Sequence, residues 1–160
     1  MIRISRWKRR LGASLVAGIL TLVSVVSVSA QTLNIMDEVT ETTSDYAEDI
    51  SYNILKGAHL NYGSTKIQRL SSNEVAIYGL TQCHHICDEV YLYIYLERKV
   101  NGSYATYKYW KFEANNATSL SKGINVIVPS GTYYRVRGYH AAKDGSKEST
   151  STLTSGILVK

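Results

Sequence analysis

The spacing of turn signals is the feature that most constrains the fold of this chain. From about Asn61 onward, short stretches of alternating apolar and polar residues are separated by turn-forming residues about every ten positions. The chain contains 1 proline, and helical periodicity is nearly absent. This pattern predicts an all-β protein, and about seven strands in one domain favour an antiparallel β-sandwich. The expected strands cover residues 65–70, 74–80, 89–99, 103–113, 124–128, 132–142 and 147–159, and residues 51–56 could add a helical turn or a further strand.

The first thirty residues predict export. Five basic residues, all within the first ten positions, precede an uncharged run over 11–28 that leads into Ser29-Ala30. A basic start, an apolar run and small residues at the exit are typical of a secretory signal peptide, here residues 1–30. The uncharged run is at the short end of what spans a bilayer, so a retained membrane anchor is the alternative. We expect a secreted, extracellular protein without a membrane contact after cleavage.

The charge of the chain changes at Ala30 and again near Ile50. The formal net charge is +5, but 5 of the 18 Lys and Arg residues lie in the signal, and all 13 Asp and Glu residues lie beyond it. The mature chain is therefore neutral, which argues against nucleic acid as a partner. Residues 31–50 carry six acids and no base, which predicts an acidic flexible segment before a sandwich domain over 51–160. Folding of this segment back onto the basic body is the alternative.

The best-defined element is the hairpin around Asn101-Gly102, a dipeptide that forms type I′ turns. A two-residue loop fixes the register and places Tyr93 opposite Trp110. Leu92 and its branched neighbours then fall on one side, which we assign to the core. The outer side carries the predicted binding residues Tyr91, Tyr93, Tyr95, Trp110 and Phe112.

Five aromatic side chains on one outer face form an apolar patch of the size that usually has a partner. Flat Tyr and Trp rings bind sugar faces or peptide side chains, and their polar groups add hydrogen bonds. The sequence therefore predicts a non-catalytic module that binds a glycan or a cell-surface protein. Cross-strand aromatic pairs also stabilise sheets by themselves, so a structural or self-associating secreted protein is the alternative.

A second hairpin is indicated by Asp144-Gly145. Arg135 and Arg137 share a strand face with Tyr133 and Tyr139, where cation–π stacking is expected. The facing strand would contribute Thr150, Thr152 and Thr154. The run over 129–137, Pro-Ser-Gly-Thr-Tyr-Tyr-Arg-Val-Arg, resembles the penultimate strand of fibronectin type III-like sandwiches. In that family a tyrosine ties this strand to the preceding loop, so the resemblance implies an immunoglobulin or fibronectin III-like antiparallel β-sandwich of about seven strands.

A longer resemblance covers about half of the chain. The segments that carry it are Gly79-Leu80-Thr81, Leu96-Glu97-Arg98, Asn101-Gly102-Ser103-Tyr104, the run over 133–140 and Glu148-Ser149. Over these segments the chain is similar to small secreted proteins of clostridia-like Gram-positive bacteria that form a family of unknown function. The resemblance implies export and a compact β domain, and it supplies no catalytic or binding residues.

The segment Cys83-His84-His85-Ile86-Cys87 has the most reactive side chains of the sequence. Outside the cell a lone pair of cysteines usually forms a disulfide, which we predict between Cys83 and Cys87. Free thiols are one alternative. A metal or redox site that uses both sulfurs with His84 or His85 is the other. Because the spacing matches no standard zinc motif, we predict no metal and no cofactor.

The inventory of motifs predicts that the protein is not an enzyme. The sequence lacks a nucleophile elbow, a zinc-protease helix motif and a phosphate-binding glycine loop. Adjacent histidines on a turn rarely form a catalytic dyad with a nearby cysteine, since the partners need separate rigid elements. The carboxylates available for glycoside hydrolysis are Asp88, Glu89, Glu97, Glu113 and Glu148.

Overall fold

The described part of the chain consists of β-strands and their connections. The computed structural model describes residues 40–52 and 57–160. Its strands are β1 (Glu41–Thr42), β2 (Tyr46–Tyr52), β3 (Leu60–Ser71), β4 (Glu74–Val100), β5 (Ser103–Ile127), β6 (Thr132–Asp144), β7 (Ser146–Leu153) and β8 (Gly156–Val159). The predicted all-β class is confirmed. The expected signal peptide, residues 31–39 and residues 53–56 lie outside the described residues.

Several expected strands are joined in the structure. The predicted strands 74–80 and 89–99 both belong to β4, and 103–113 and 124–128 both belong to β5. The two long strands stay paired beyond the predicted breaks, because Gln82 pairs with Ser119 and Cys87 pairs with Ala117. The last predicted strand, 147–159, is instead divided into β7 and β8. In the described residues, no helix is long and apolar enough to cross a membrane.

The strands form one continuous sheet of eight strands rather than a sandwich of about seven. β4 pairs with β5 along one side, and on its other side it pairs first with β3 and then with β6. β3 also pairs with β2, and β6 also pairs with β7 and β8. All of these pairs are antiparallel, whereas β1 pairs with β8 in parallel. Because β4 changes its partner from β3 to β6, β2 and β3 lie beside one part of β4, and β6, β7 and β8 lie beside the other. The two groups of strands diverge from the shared β4–β5 pair.

The sheet folds back so that β2 and β3 lie against β7. The hydroxyl of Thr65 on β3 donates to Thr152 on β7 at 2.9 Å, and the hydroxyls of Ser51 and Thr150 lie 2.6 Å apart. Apolar side chains fill the remaining interior, which confirms the predicted core side of the central hairpin. The fully buried apolar residues on β4 are Val75, Ile77, Cys87, Val90, Leu92, Ile94 and Leu96.

The acidic segment is part of the sheet from Glu41 onward. The expectation of a flexible segment is wrong for these residues, because they form β1 and β2 and bury Ala47. Three of its acids form ion pairs with basic residues of the 51–160 domain, in agreement with the alternative that the segment folds back. The ion pairs join Asp45 to Arg69, Glu48 to Lys66 and Glu41 to Lys99.

The resemblance to fibronectin type III-like sandwiches implies a tyrosine that ties its strand to the preceding loop. The structure contains such a contact. The ring of Tyr134 is fully buried, and its hydroxyl donates to the carbonyl of Pro129 at 2.8 Å. This bond ties the start of β6 to the loop before it. Burial raises the pKa of Tyr134, so the phenol keeps the proton that this bond requires.

Candidate functional site

The turn of the central hairpin has the predicted geometry, but its register changes after four residue pairs. Asn101 and Gly102 have φ angles of 50° and 85°, and Val100 pairs with Ser103. Both positive φ angles agree with a type I′ turn. Leu96 then pairs with Lys108, so an extra residue of β5 forms a bulge.

Because of this bulge, the aromatic residues on the outer face of the hairpin differ from the predicted ones. Trp110 lies opposite Ile94 and Phe112 lies opposite Leu92, so both rings point to the core side and are partly buried against it. The prediction that they share an outer face with Tyr91, Tyr93 and Tyr95 is wrong. A shift of one residue moves every side chain of a strand to the other face, and the bulge causes this shift.

Five tyrosines occupy the outer face of this part of the sheet. Three are the predicted residues of β4, one comes from β5 in place of the expected tryptophan, and one comes from β6. We call this surface the tyrosine face. Its members are Tyr91, Tyr93, Tyr95, Tyr109 and Tyr139.

Tyr95 lies in the middle of a row that crosses three strands. Its neighbours are Tyr109 on β5 and Arg137 on β6. The two tyrosine rings are stacked with centroids 6.1 Å apart, and the guanidinium carbon of Arg137 lies 4.1 Å from the Tyr95 centroid. Tyr95 is therefore flanked on both sides, while Tyr109 at the β5 edge is 61% exposed.

The next row along β4 places lysines at the borders of the tyrosine face. Tyr93 lies between Lys111 and Tyr139, with the Lys111 ammonium 5.1 Å from the Tyr93 ring centroid. From β7, the ammonium of Lys147 lies 4.0 Å from the Tyr91 centroid and 5.6 Å from that of Tyr139. Both lysines are exposed. The rings thus hold two cations at the surface by cation–π attraction.

A buried carboxylate fixes the arginines beside the tyrosine face. Glu97 is 6% exposed, and its two oxygens accept from Arg135 Nε and Arg137 Nε at 2.8 Å each. The guanidinium carbon of Arg135 also lies 4.1 Å from the ring centroid of Tyr104. The cation–π contacts of the two arginines are with Tyr104 and Tyr95, whereas the sequence predicted Tyr133 and Tyr139. Glu97 orients both guanidinium groups.

The second hairpin also departs from its predicted register. Asp144 pairs with Ser146 around Gly145, whose φ is 70°, so the loop is one residue shorter than expected. The threonines predicted beside Tyr139 therefore face the opposite side, and this expectation is wrong. Thr150 pairs with His140, and Thr152 and Thr154 are buried.

The interior contains a chain of hydrogen bonds through His140, which has no exposed surface. Thr152 lies 2.9 Å from its Nε2, and Thr81 lies 3.1 Å from its Nδ1. Thr81 donates its proton to the carbonyl of Tyr91, so it accepts from Nδ1–H, and Nε2 is left to accept from Thr152. Burial lowers the pKa of His140 to about 4, so the imidazole is neutral near pH 7.

The backbone around His140 leaves no room for a larger residue on β3. A Cβ atom added at Gly63 would lie 2.2 Å from His140 Cγ. Glycine therefore permits the close approach of β3 to the imidazole. The sequence pattern contains no signal for this packing, because Gly63 lies before the predicted strand 65–70.

Cys83 and Cys87 are free thiols in the structure, so the predicted disulfide is not formed. Both are buried, at 3% and 0% exposure. Burial raises the pKa of Cys83 to about 12 and also raises that of Cys87. A thiol that stays protonated is a poor nucleophile and a poor metal ligand, which argues against the proposed thiolate site.

Native protein is expected to resist alkylation of both cysteines at about pH 8, because the thiols are buried and protonated. In denaturant without reductant, both should be modified. Intact mass spectrometry before and after iodoacetamide measures this. Labelling of denatured protein only after reduction would show a disulfide and contradict the structure.

Four of the five carboxylates considered for hydrolysis have structural contacts. Glu97 binds two arginines, Glu89 forms an ion pair with Lys143 at 2.6 Å, and Glu113 accepts from the Tyr93 hydroxyl at 3.1 Å. Glu148 accepts three backbone N–H groups from residues 58–60. Each of these four therefore has a local structural partner.

A groove lies on the outer side of β2, β3 and β4. The sequence did not indicate it, because most of β2 falls in the segment 31–50 that was expected to be flexible. An ion pair between Glu48 and Lys66, 3.0 Å apart, lies within the groove. The hydrogen bond from Tyr46 is the main cause that lowers the pKa of Glu48. The lining residues are Glu48, Ile50, Tyr62, Ser64, Lys66, Tyr78 and Leu80.

The fold and the tyrosine face define a small all-β protein with tyrosine rings and cations on one outer face of the sheet. The chain matches the family of unknown function DUF6147 over residues 33–156, and it belongs to that family. The predicted membership of a family of unknown function is thereby confirmed. No curated protein matches the chain.

Proposed function

We propose that the protein is an exported, non-catalytic binding module whose tyrosine face binds an anionic glycan at the cell surface. The basic start and apolar run before Ala30 support export. The observation that carries the binding role is the placement of exposed Lys111 and Lys147 over the rings of Tyr93 and Tyr91. Cations held this way are ordered before a ligand arrives, which reduces the entropy cost of binding.

The contacts within the tyrosine face favour an anionic sugar over a neutral one. Tyr95 is flanked by Tyr109 and Arg137, so its ring faces are not open to a pyranose. Tyr109, at the edge of the sheet, keeps an exposed ring surface on which one sugar ring can stack. The two lysines then supply charge for carboxylate or sulfate groups of the polymer.

Self-association is the rival role, and the free edge of β5 is the surface that it would use. Among the described strands, β5 pairs with β4 alone. Lys108, Lys111 and Lys122 lie along this edge strand, and the bulge before Lys108 distorts it. Charges and bulges are the features that prevent edge-to-edge pairing, so the edge favours the binding role.

The double variant Lys111→Gln/Lys147→Gln is expected to weaken binding to a soluble polyuronate about tenfold, because it removes both ordered cations and leaves the rings. Affinity electrophoresis in gels with and without the polymer measures this, with dextran as the neutral polymer. Tyr109→Ala should also weaken binding.

Lys122→Gln is the matched control for this experiment. Lys122 also lies over an aromatic ring, 5.5 Å from the Phe112 centroid, but it is not part of the tyrosine face. Retention of binding by this variant supports the site. Equal losses in the control, equal affinity for dextran, or no binding to the polyuronate would reject the proposal.

A further inference from the structure

The topology of the sheet brings three chain segments together at one corner. β4 leaves β3 and joins β6 within residues 83–88. Four residues of β4 lie between its pairs with Ser119 and Ala117, whereas β5 contributes one, so β4 bulges here. His85 lies in this bulge, His59 directly precedes β3, and Asp144 ends β6.

The side chains of these three residues converge. His85 Nε2 lies 3.4 Å from His59 Nδ1 and 3.0 Å from Asp144 Oδ2. All three potential ligand atoms lie within 4.8 Å of one another. A tetrahedral zinc site with bonds of about 2.0–2.1 Å separates its ligand atoms by about 3.3 Å. The distances of 3.4 and 3.0 Å lie on either side of this value.

Neighbouring groups hold His59 in position. Glu148 accepts the backbone N–H groups of Ala58, His59 and Leu60 at 2.8, 3.1 and 2.9 Å, which fixes the segment that carries the ring. Ser146 Oγ lies 3.2 Å from His59 Nε2. When Nε2–H donates to this hydroxyl, the lone pair of Nδ1 points toward His85 and Asp144. Such outer contacts are typical of metal-binding histidines.

We propose that His59 Nδ1, His85 Nε2 and a carboxylate oxygen of Asp144 bind one Zn²⁺ ion, with water at a fourth position. Two imidazoles and one carboxylate suit this ion. The side chains of His85 and Asp144 are 43% and 41% exposed, so the ion and its water can reach the site from solvent. The ion links the start of β3, the bulge of β4 and the end of β6.

This site differs from a metal site built on the cysteines. Cys83 and Cys87 are buried and protonated, whereas the three proposed ligands are at least partly exposed and offer imidazole nitrogen or carboxylate oxygen. The site also does not depend on the tyrosine face. It remains testable whether or not the protein binds a glycan.

Isothermal titration of tag-free, EDTA-treated and dialysed protein with Zn²⁺ tests the proposal. We expect one ion per chain and a melting temperature that rises by several degrees with excess zinc, because the ion binds the folded state. His85→Ala should weaken binding at least tenfold, and His59→Ala should do the same. With Co²⁺ as the probe, a visible spectrum without thiolate charge-transfer bands is expected.

His84→Ala is the matched control, since His84 is the exposed neighbour of His85 and is outside the cluster. It should bind zinc as the unmodified protein does. Melting temperatures in EDTA establish that each variant is folded before its affinity is compared. Absence of one-to-one binding, equal losses in the His84 and His85 variants, or loss of binding in Cys83→Ser/Cys87→Ser with retention in His85→Ala would overturn the proposal.

Discussion

Acidification from about pH 7.5 to about pH 5 is expected to lower the free energy of unfolding by about 2 kcal/mol through His140 alone. Burial lowers the pKa of this histidine from 6.5 to about 4 in the folded protein. The unfolded chain therefore binds a proton that the folded chain refuses between these two values. The stabilisation is complete above about pH 6.5, and it is lost as the pH falls toward about 4.

The variant His140→Gln separates this effect from the titration of other groups. Glutamine can hydrogen-bond but does not titrate, so the variant should be less stable at neutral pH and should depend less steeply on pH. Urea unfolding at a series of pH values measures both properties. The control His84→Gln, at an exposed position, should keep the original slope. An unchanged slope in His140→Gln would contradict the assignment.

The fold class could be predicted from the sequence because it depends on short-range patterns. Turn residues such as Asn101-Gly102 determine local backbone angles, and alternation identifies the buried side of β4. The lengths of β4 and β5 could not be predicted in this way. The segment around Cys83–Cys87 has no strand pattern of its own, and β4 continues through it as a bulge between pairs with Ser119 and Ala117, which are distant in the sequence.

The candidate site was predicted only in part, because faces depend on register. Tyr91, Tyr93 and Tyr95 were placed on the outer side, and no later bulge affects their own strand there. Trp110 and Phe112 lie beyond an extra residue at the bulge in β5, and no turn signal marks that position. One unmarked residue was enough to exchange a predicted ligand contact for a core contact.

The convergence of His59, His85 and Asp144 also could not be predicted from local sequence patterns. Spacing along the chain is the signal that a sequence offers, and it relates His85 only to its near neighbours. The structure instead joins it to residues 26 and 59 positions away. Such a cluster follows from the order of strands, and the order of strands was the part of the fold that local patterns did not determine.

Replacement of Glu97 by glutamine is expected to destabilise the protein by about 3 kcal/mol. The carboxylate is 6% exposed and accepts from two guanidinium groups, of which that of Arg135 is also buried. Glutamine keeps the size of the side chain but removes its charge. The arginines would then lose the carboxylate that they share in a region from which water is largely excluded, and breaking a buried ion pair is costly.

Glu89→Gln is the matched control, because Glu89 pairs with Lys143 across the same two strands and on the same face. Its side chain is 35% exposed and that of Lys143 is 42% exposed, so we expect a loss below about 1 kcal/mol. Urea unfolding of both variants at neutral pH gives the comparison. If both variants lose less than about 1 kcal/mol of unfolding free energy, solvent compensates the charge of the arginines. Glu97 would then not be needed to hold Arg137 against Tyr95. A large loss of unfolding free energy in Glu97→Gln alone would show that a buried ion pair stabilises the tyrosine face, since Arg137 binds Glu97 and also flanks Tyr95.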